Sequence, residues 1–472
     1  MVQGPVIAIV GVGFSGAATA VQLLRGLGGG VACELHLIEQ GEGLGRGVAY
    51  GTRDPGHLLN VPAGEMSLLP EEPDHLLRWL AGAGQPAEAG AFLPRGMYGD
   101  YVAATLAAAI AAAPPGVRVV RQAEAAIGCL PAGPRHVLRL ASGTTLEADA
   151  VVLAWGLAPP APLGWSLPAG PPPPWLVLAP WRPEALAPLP ADVEVLLVGT
   201  GLTAVDLALS LLDLGARTVH LVSRRGRLPV AREEVAPYPA WLPPASAPRR
   251  VSGLMRLVRA EVRAAAAAGH PWQAVLEALR PTVPALWEAL PWVERRRFLR
   301  HARPAWEAHR QLLPPPTAER LRAALVAGRL HVRAGRVRAL EVAPGGATAH
   351  LRCADGGEEA LAVARVVVCT GPEDNYRRVR EPLAQSLIGA GLARPDALRL
   401  GLDVGPEGLL RDEDGAPRPG LWAVGAARKG AQWEATAVRE LRVQAAQVAA
   451  GLRLALRLSP DASQGPAAAP RP

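Results

Sequence analysis

The chain predicts an α/β protein made of two similar units, one inserted into the other, each a parallel sheet opened by a glycine-rich turn, with a helical insertion added. Three observations carry this. Gly11-Val-Gly13-Phe-Ser-Gly16 follows the apolar run Pro5-Val-Ile-Ala-Ile-Val10, and Gly199-Thr-Gly201-Leu-Thr-Ala204 follows Val193-Glu-Val-Leu-Leu-Val198. A long apolar helix pattern follows each turn, so each closes a strand–turn–helix unit. Each unit then runs through short alternating strands to a buried run ending in glycine, Asp149-Ala-Val-Val-Leu-Ala-Trp-Gly156 in the first and Arg365-Val-Val-Val-Cys-Thr-Gly371 in the second.

In such a turn the first glycine permits the bend and the second lets backbone N–H groups approach a pyrophosphate. The third position, Gly or Ala, allows close helix–strand packing. The phosphates then rest on the positive end of the following helix. The next strand of the first unit, Cys33-Glu-Leu-His-Leu-Ile38, ends at Glu39, where a carboxylate accepts hydrogen bonds from a ribose. Gly11, Gly13, Ser15, Gly16 and Glu39 are therefore assigned to an FAD site on a Rossmann-like unit. The corresponding strand of the second unit, Thr218-Val-His-Leu-Val222, ends instead in Ser223-Arg224-Arg225. A carboxylate there would repel a 2′-phosphate, whereas a hydroxyl and two guanidiniums would bind one. Gly199, Gly201, Thr203, Ser223, Arg224 and Arg225 are assigned to NADPH, with NADH the alternative and a solvated basic turn the competing reading.

The echo continues beyond the turns. Val117-Arg-Val-Val120, His136-Val-Leu-Arg-Leu140 and Thr144-Thr-Leu-Glu147 predict a small antiparallel meander in the first unit. Leu330-His-Val-Arg333 and Ala349-His-Leu-Arg-Cys353 predict one in the second. The expected organisation is an FAD domain over 1–165 and 366–458, a proline-rich linker over 166–192, and an NADPH domain over 193–365. Within the last, 251–327 is a helical insertion with Trp272, Trp287, Trp292 and Trp306, expected to cap the active site. The tail 459–472 is Pro/Ala/Ser-rich and expected to be disordered.

The formal charge is +7, but the basic residues are scattered arginines, Lys429 being the only lysine. No basic tract interleaved with aromatics stands out, which argues against a nucleic-acid partner. The apolar run from Val6 to Leu24 lacks a basic leader, and Val102 to Ala113 is too short to span a bilayer. No membrane partner and a cytoplasmic location are expected. The cysteines, Cys33, Cys129, Cys353 and Cys369, form no Cys-x-x-Cys or Cys-x4-Cys pair, and no histidine follows His350. That speaks against a dithiol-based disulfide reductase. No metal site and no nucleophile–base triad are expected.

Further strings resemble a family of bacterial FAD/NAD(P)-binding proteins that includes FAD-dependent urate hydroxylase and the aspartate N-monooxygenases. They are Gly45-Arg-Gly-Val-Ala-Tyr-Gly51, His57-Leu-Leu-Asn-Val-Pro-Ala63, Phe92-Leu-Pro-Arg-Gly-Met-Tyr-Gly99, Gly201-Leu-Thr-Ala-Val-Asp206, Arg297-Phe-Leu-Arg-His301, Cys369-Thr-Gly-Pro372 and Trp433-Glu-Ala-Thr-Ala437. The resemblance implies a flavoprotein monooxygenase: NADPH reduces FAD, and dioxygen adds to give a peroxyflavin that hydroxylates a small polar substrate. An NAD(P)H:acceptor reductase or a non-catalytic flavin-binding protein is the alternative. The Phe-x-Gly-x3-His fingerprint of the larger flavin monooxygenases is absent, since no phenylalanine lies between Phe92 and Phe298. Gly425 is followed directly by Ala426 and not by an acid, so backbone contact there would have to serve FAD.

Candidate residues follow, each with a bland rival. Arg46 could meet the FAD pyrophosphate or be a solvated loop arginine. Asn60 could bond a flavin carbonyl or substrate, or form a turn. His57 could shuttle protons or be a satisfied structural histidine. Arg95, Tyr98 and Tyr101 could receive an acidic substrate or pack a loop. Gly156, Thr370, Gly371 and Gly425 end strands beside the cofactors. Glu434 and Thr436 lie at the start of a helix expected near Ala435, whose N-terminus would face the flavin, or they simply cap it. Arg297, His301, Trp306, His309 and Arg310 could line a substrate pocket or lie on a solvated helix.

Overall fold

The computed structural model describes residues 4–41, 43–161, 164–165 and 171–458. The tail 459–472 and the linker residues 166–170 lie outside the described residues. In the first unit, β1 (Val6–Val10) pairs in parallel with β2 (Cys33–Ile38), which pairs with β3 (Val117–Gln122). Strands β4 (Ala126–Ala132), β5 (Arg135–Leu140) and β6 (Thr145–Ala148) form a separate antiparallel meander. Strand β7 (Ala150–Leu153) returns to lie parallel beside β1.

Alternation along β1 explains the layering. Ile7 and Ile9 point into the core under the helices Phe14–Arg25, Arg95–Ala111 and Val438–Ala455, while Ala8 and Val10 face the meander and the helix Pro382–Gly389. A strand covered on both faces reads as a continuous apolar run, as Val6 to Val10 does.

The second unit begins earlier than its glycine turn suggests. Strand β8 (Leu176–Val177), inside the proline-rich linker, forms one edge of its sheet. Next come β9 (Glu194–Val198), β10 (Thr218–Ser223), β11 (Leu330–Ala343), β12 (Gly346–Cys353), β13 (Glu358–Val363) and β14 (Arg365–Val368). Spatially β14 sits between β8 and β9 in this sheet, so the boundary at 365/366 falls inside one of its strands. Here the meander is not separate. The 14-residue β11 pairs in parallel with β10 over Leu330–Ala334 and continues as the antiparallel partner of β12. The chain returns to the first sheet through β15 (Leu409–Arg411) and β16 (Pro417–Ala423), the latter parallel to β7.

The helical insertion is shorter than 251–327. Helices Val251–Ala267, Trp272–Leu279, Val283–Ala289, Trp292–Arg297 and Arg303–Arg310 share a core of their own with Leu398, Leu400 and Trp433. Helix Pro315–Val326 instead packs Leu321 on the second sheet, as the crossover from β10 to β11. Among the described residues no helix is long and apolar enough to cross a membrane.

Candidate active site

Both glycine turns follow one plan. Gly11 takes φ +84°, and a Cβ there would lie 2.6 Å from the Ala154 carbonyl oxygen. Gly199 takes φ +134°, and its Cβ would lie 2.2 Å from the Cys369 carbonyl oxygen. So in each unit the turn backs onto the residue that leaves the strand ending in glycine, Gly156 at φ +78° and Gly371 at φ +83°. These two outgoing segments also meet each other, since Pro160 and Pro372 form an antiparallel bridge. Gly13 and Gly201 are the N-caps of the helices Phe14–Arg25 and Leu202–Asp213, and neither cap has a side-chain hydrogen bond. The N–H groups of each first turn are thus left to a ligand or solvent.

Around the first turn other segments close in. Gly16 packs so tightly that a Cβ would lie 2.0 Å from the Gly11 carbonyl oxygen, and Gly13 lies against the backbone of Gly47. Glu39 ends β2 as expected and accepts from Val12 N–H at 2.9 Å and Gly41 N–H at 3.2 Å. Gly425, at φ +87°, lies against Ser15, and its N–H donates to the buried Gln444 at 2.9 Å. Arg46 stands next to this turn, where it pairs with Asp100 and donates to the Gly96 carbonyl.

Around the second turn the space stays open. A Cβ at Gly201 meets nothing within 4 Å. Thr203 is half-buried, and Thr370, Arg224 and Arg225 are exposed. The Thr200 hydroxyl, 3.0 Å from the Ser223 hydroxyl and 2.6 Å from the Arg227 carbonyl, ties this turn to the end of β10.

Several candidate catalytic residues turn out to hold the units together. His57 is buried, with Nε2 donating to Ser210 at 3.0 Å and Nδ1 accepting from Thr52 at 2.8 Å. Those roles follow because the Ser210 hydroxyl itself donates to Asp54. Burial holds the His57 pKa below its ordinary value, against the pull of Asp54. A proton shuttle needs solvent or substrate at one nitrogen, and both are engaged. Arg95 likewise faces Asp206, 3.4 Å away on the helix Leu202–Asp213. Burial pushes the Asp206 pKa up to about 6, with Arg95 opposing and Asp54 adding to the rise. Tyr98 is fully buried, stacked on Phe14 and edge-on to Tyr50, with no hydrogen-bond partner for its hydroxyl among the described residues. Tyr101 meets His75 and the Leu68 N–H inside the same core. The phenols are core, because the helix Arg95–Ala111 presents them inward. Asn60 is half-buried with no side-chain hydrogen bond among the described residues.

The last helix starts at Val438, with Ala437 as a cap that makes no side-chain bond, not at Ala435. Thr436 is exposed, and Glu434 is engaged elsewhere, so neither caps it. Glu434 instead accepts from Trp306 Nε1 at 3.2 Å and faces Arg310 at 3.5 Å. Arg297, with Glu294 as its partner, His301 and His309 are solvent-facing. The insertion therefore lies over the segment leading into the last helix. Trp287 donates to the Gly430 carbonyl at 3.0 Å and stacks against Trp433.

Between insertion and first unit lies a polar cluster with no single-residue sequence signal. Arg280 is 2% exposed, yet its Nε and Nη1 have no hydrogen-bond partner among the described residues. Glu65, Glu277 and Glu440 stand around it at 3.6, 3.8 and 3.9 Å. Glu440 Oε2 and Arg310 Nε are also without partners, and burial raises the Glu440 pKa. Buried charges this loosely paired keep unmet hydrogen-bonding capacity. The thiols offer no comparable chemistry: burial pushes Cys33 up to about 11 and Cys129 and Cys369 up to about 12.

Residues 8–158 match the sequence profile of the family described as FAD-NAD(P)-binding. No curated protein sequence matches the chain. Among solved structures, the ornithine N-hydroxylase of Kutzneria sp. 744, with reduced FAD, NADP+ and L-ornithine, superposes with a TM-score of 0.65 at 14% identity, over 96% of this chain and 99% of that one. L-lysine 6-monooxygenase from Pseudomonas syringae gives 0.65 at 17%, over 96% and 100%. A bacillithiol disulfide reductase from Staphylococcus aureus gives 0.55 at 12%, over 96% and 99%. At these identities the likeness is one of fold, and the fold hosts both oxygenation and disulfide reduction.

Proposed function

We propose that this chain is an FAD- and NADPH-dependent monooxygenase that hydroxylates a small polar substrate. The observation that carries the reading is the contrast between its two glycine turns, one enclosed and ending beside a carboxylate, the other open and ending beside arginines. The first turn fits FAD: Gly11 and Gly16 leave no room for side chains, Gly13 lies close against Gly47, and the uncapped N–H groups face the phosphate position. Glu39 stands ready for the ribose, and Ser15 and Gly425 bring the last helix to the same place. The second turn fits a dinucleotide that comes and goes, with Ser223, Arg224 and Arg225 toward the 2′-phosphate.

Bound FAD supplies the electron transfer and oxygen activation. This chain's residues bind, orient and exclude water around it. The insertion, held by Trp287, Trp306 and Arg310, covers the segment around Gly430 and Glu434. Arg280 and Arg310 provide cationic ends, and Glu65 and Glu440 anionic ends, for a substrate carrying both signs of charge. The neighbour's L-ornithine has that character. The absence of any Cys-x-x-Cys pair, with Cys33, Cys129 and Cys369 buried, disfavours a dithiol-based disulfide reductase, despite the fold likeness to one.

The test is the absorbance of the FAD-loaded protein mixed anaerobically with NADPH and then with air, together with product analysis over a set of amino acids. Bleaching by NADPH and a hydroxylated product formed per NADPH consumed support the reading. Bleaching and reoxidation with no hydroxylated product would replace it with an NAD(P)H:acceptor reductase. A flavin that NADPH never bleaches would remove the nicotinamide site.

A further inference from the structure

We infer that Arg336, Arg338 and Arg352 join Arg224 in one anion subsite that receives the 2′-phosphate of NADPH; this rests on the nicotinamide reading of the second glycine turn. The argument starts from the continuity of β11. Its last parallel partner is Ser223, opposite Ala334, and the same strand then enters the ladder with β12. The end of β10, where a nicotinamide cofactor's adenosine ribose lies, is therefore adjacent to Arg336. Gly226, at φ +56°, packs against Ala334 and holds the loop after β10 to that junction.

Next comes the charge arrangement. Arg336 and Arg352 are direct cross-strand partners, and like charges so opposed destabilise a ladder. The register breaks between Val337 and Ala339, which leaves Arg338 as the extra, unopposed residue. Val337 and Leu351 face the core, and Arg336, Arg338 and Arg352 are exposed. With Arg224 they surround a hollow of about 190 Å³, which at about 30 Å³ per water holds a handful of water molecules and so a phosphate group.

None of the four has an ion pair or hydrogen bond among the described residues, although acids are at hand. Arg333, three residues before Arg336, forks onto Glu359 with two 2.8 Å hydrogen bonds and reaches His220. Glu358 is opposite Arg352 on the other side of the ladder, yet no ion pair forms within 4 Å. Four unneutralised guanidiniums around one hollow, beside the ribose position, match a phosphate monoester, whose oxygens accept several charge-assisted bonds. The subsite thus extends beyond the strand-end Arg224 to side chains more than a hundred residues later.

The test is calorimetric titration of the FAD-loaded protein with 2′,5′-ADP, 5′-AMP and inorganic phosphate, for wild type and for R336Q/R338Q/R352Q, with the melting temperature confirming that the variant is folded. Wild type is expected to bind 2′,5′-ADP about tenfold or more tighter than AMP, and the triple variant to lose most of that ratio while keeping its AMP affinity. Single Arg→Lys replacements should restore part of it, since charge survives without the fork. Equal wild-type binding of 2′,5′-ADP and AMP, or a ratio unchanged in the triple variant, overturns the subsite and leaves the nicotinamide site standing. Phosphate binding as tightly as 2′,5′-ADP would overturn it in favour of a free-anion site. Failure of both nucleotides to bind would overturn the nicotinamide reading as well.

Discussion

The two units share a turn, a backing strand and a following helix, yet they differ in how they are closed. The first turn is enclosed by Gly47 and Gly425, and its meander is a separate sheet. The second is open at Gly201, and its meander is fused to the main sheet through β11. Closure suits a cofactor that stays bound through turnover. An open turn, with a basic ladder projecting beside it, suits one that must leave after each cycle. On the proposed reading, one chain uses one supersecondary plan for a resident and a visiting dinucleotide, and the distinction lies in what surrounds the turn.

The largest effect that could break this comparison is at the third glycine. Gly16→Val places a side chain 2.0 Å from a backbone oxygen, which no rotamer relieves, so the purified protein should lack FAD and its visible absorbance. Gly201→Ala, at φ −80° in open space, should keep FAD and weaken NADPH by a few-fold at most. Equal loss of FAD in both variants would show that closure does not separate the two sites.

At the joint between the units, Asp206→Ala should rank next. It leaves Arg95 buried without its carboxylate, and removing one partner of a buried pair costs about 3–5 kcal/mol. A melting temperature within a degree or two of wild type would mean that the units do not depend on this contact. Glu39→Ala follows: loss of the strand-end carboxylate should weaken FAD by about tenfold, or ~1.4 kcal/mol, while leaving nucleotide affinity at the second site unchanged. Measuring both by titration against apoprotein checks the asymmetry directly.

The joint also has a pH signature. Burial lowers the His57 pKa, so the unfolded chain binds more protons there, and stability falls as pH drops below about 6.5. Asp206 acts the other way. With its pKa raised to about 6, its contribution is present at low pH and lost as pH rises from about 4 through 6. Asp206→Asn should therefore remove that loss and leave the stability curve steeper on the acid side, as read by melting temperature between pH 4 and 8.

The turns were legible because backbone necessity selects glycine at fixed spacing, and the strands because burial on both faces makes continuous apolar runs. His57, Arg95 and Tyr98 take the structural reading that each also carried, for a shared reason. Residue type and sequence proximity suggest chemistry, but the fold turns each inward, two of them onto the helix Leu202–Asp213. Ser210 has no local signal, since its partners His57 and Asp54 are 153 and 156 residues distant. Arg280 was equally hidden: its carboxylates come from three elements, and only Glu277 is near in sequence. The fused meander was missed because β11 reads as a short strand until its second half is seen to change partners.

The smallest expected effect sharpens the comparison most cleanly. Tyr98 lies directly under the first turn, stacked on Phe14 of the helix that opens there. Burial pushes its pKa well above the ordinary phenol value, so it carries no charge across the accessible pH range. Its hydroxyl has no hydrogen-bond partner among the described residues, and a buried unmet polar group costs about 1–3 kcal/mol. Tyr98→Phe removes that cost and keeps the ring, so FAD content and NADPH-driven flavin reduction should match wild type, with a melting temperature equal or higher. A drop in turnover without loss of FAD would return the phenol to the chemistry. An unchanged rate would leave the first turn as a packed platform whose function resides in backbone N–H groups and Glu39.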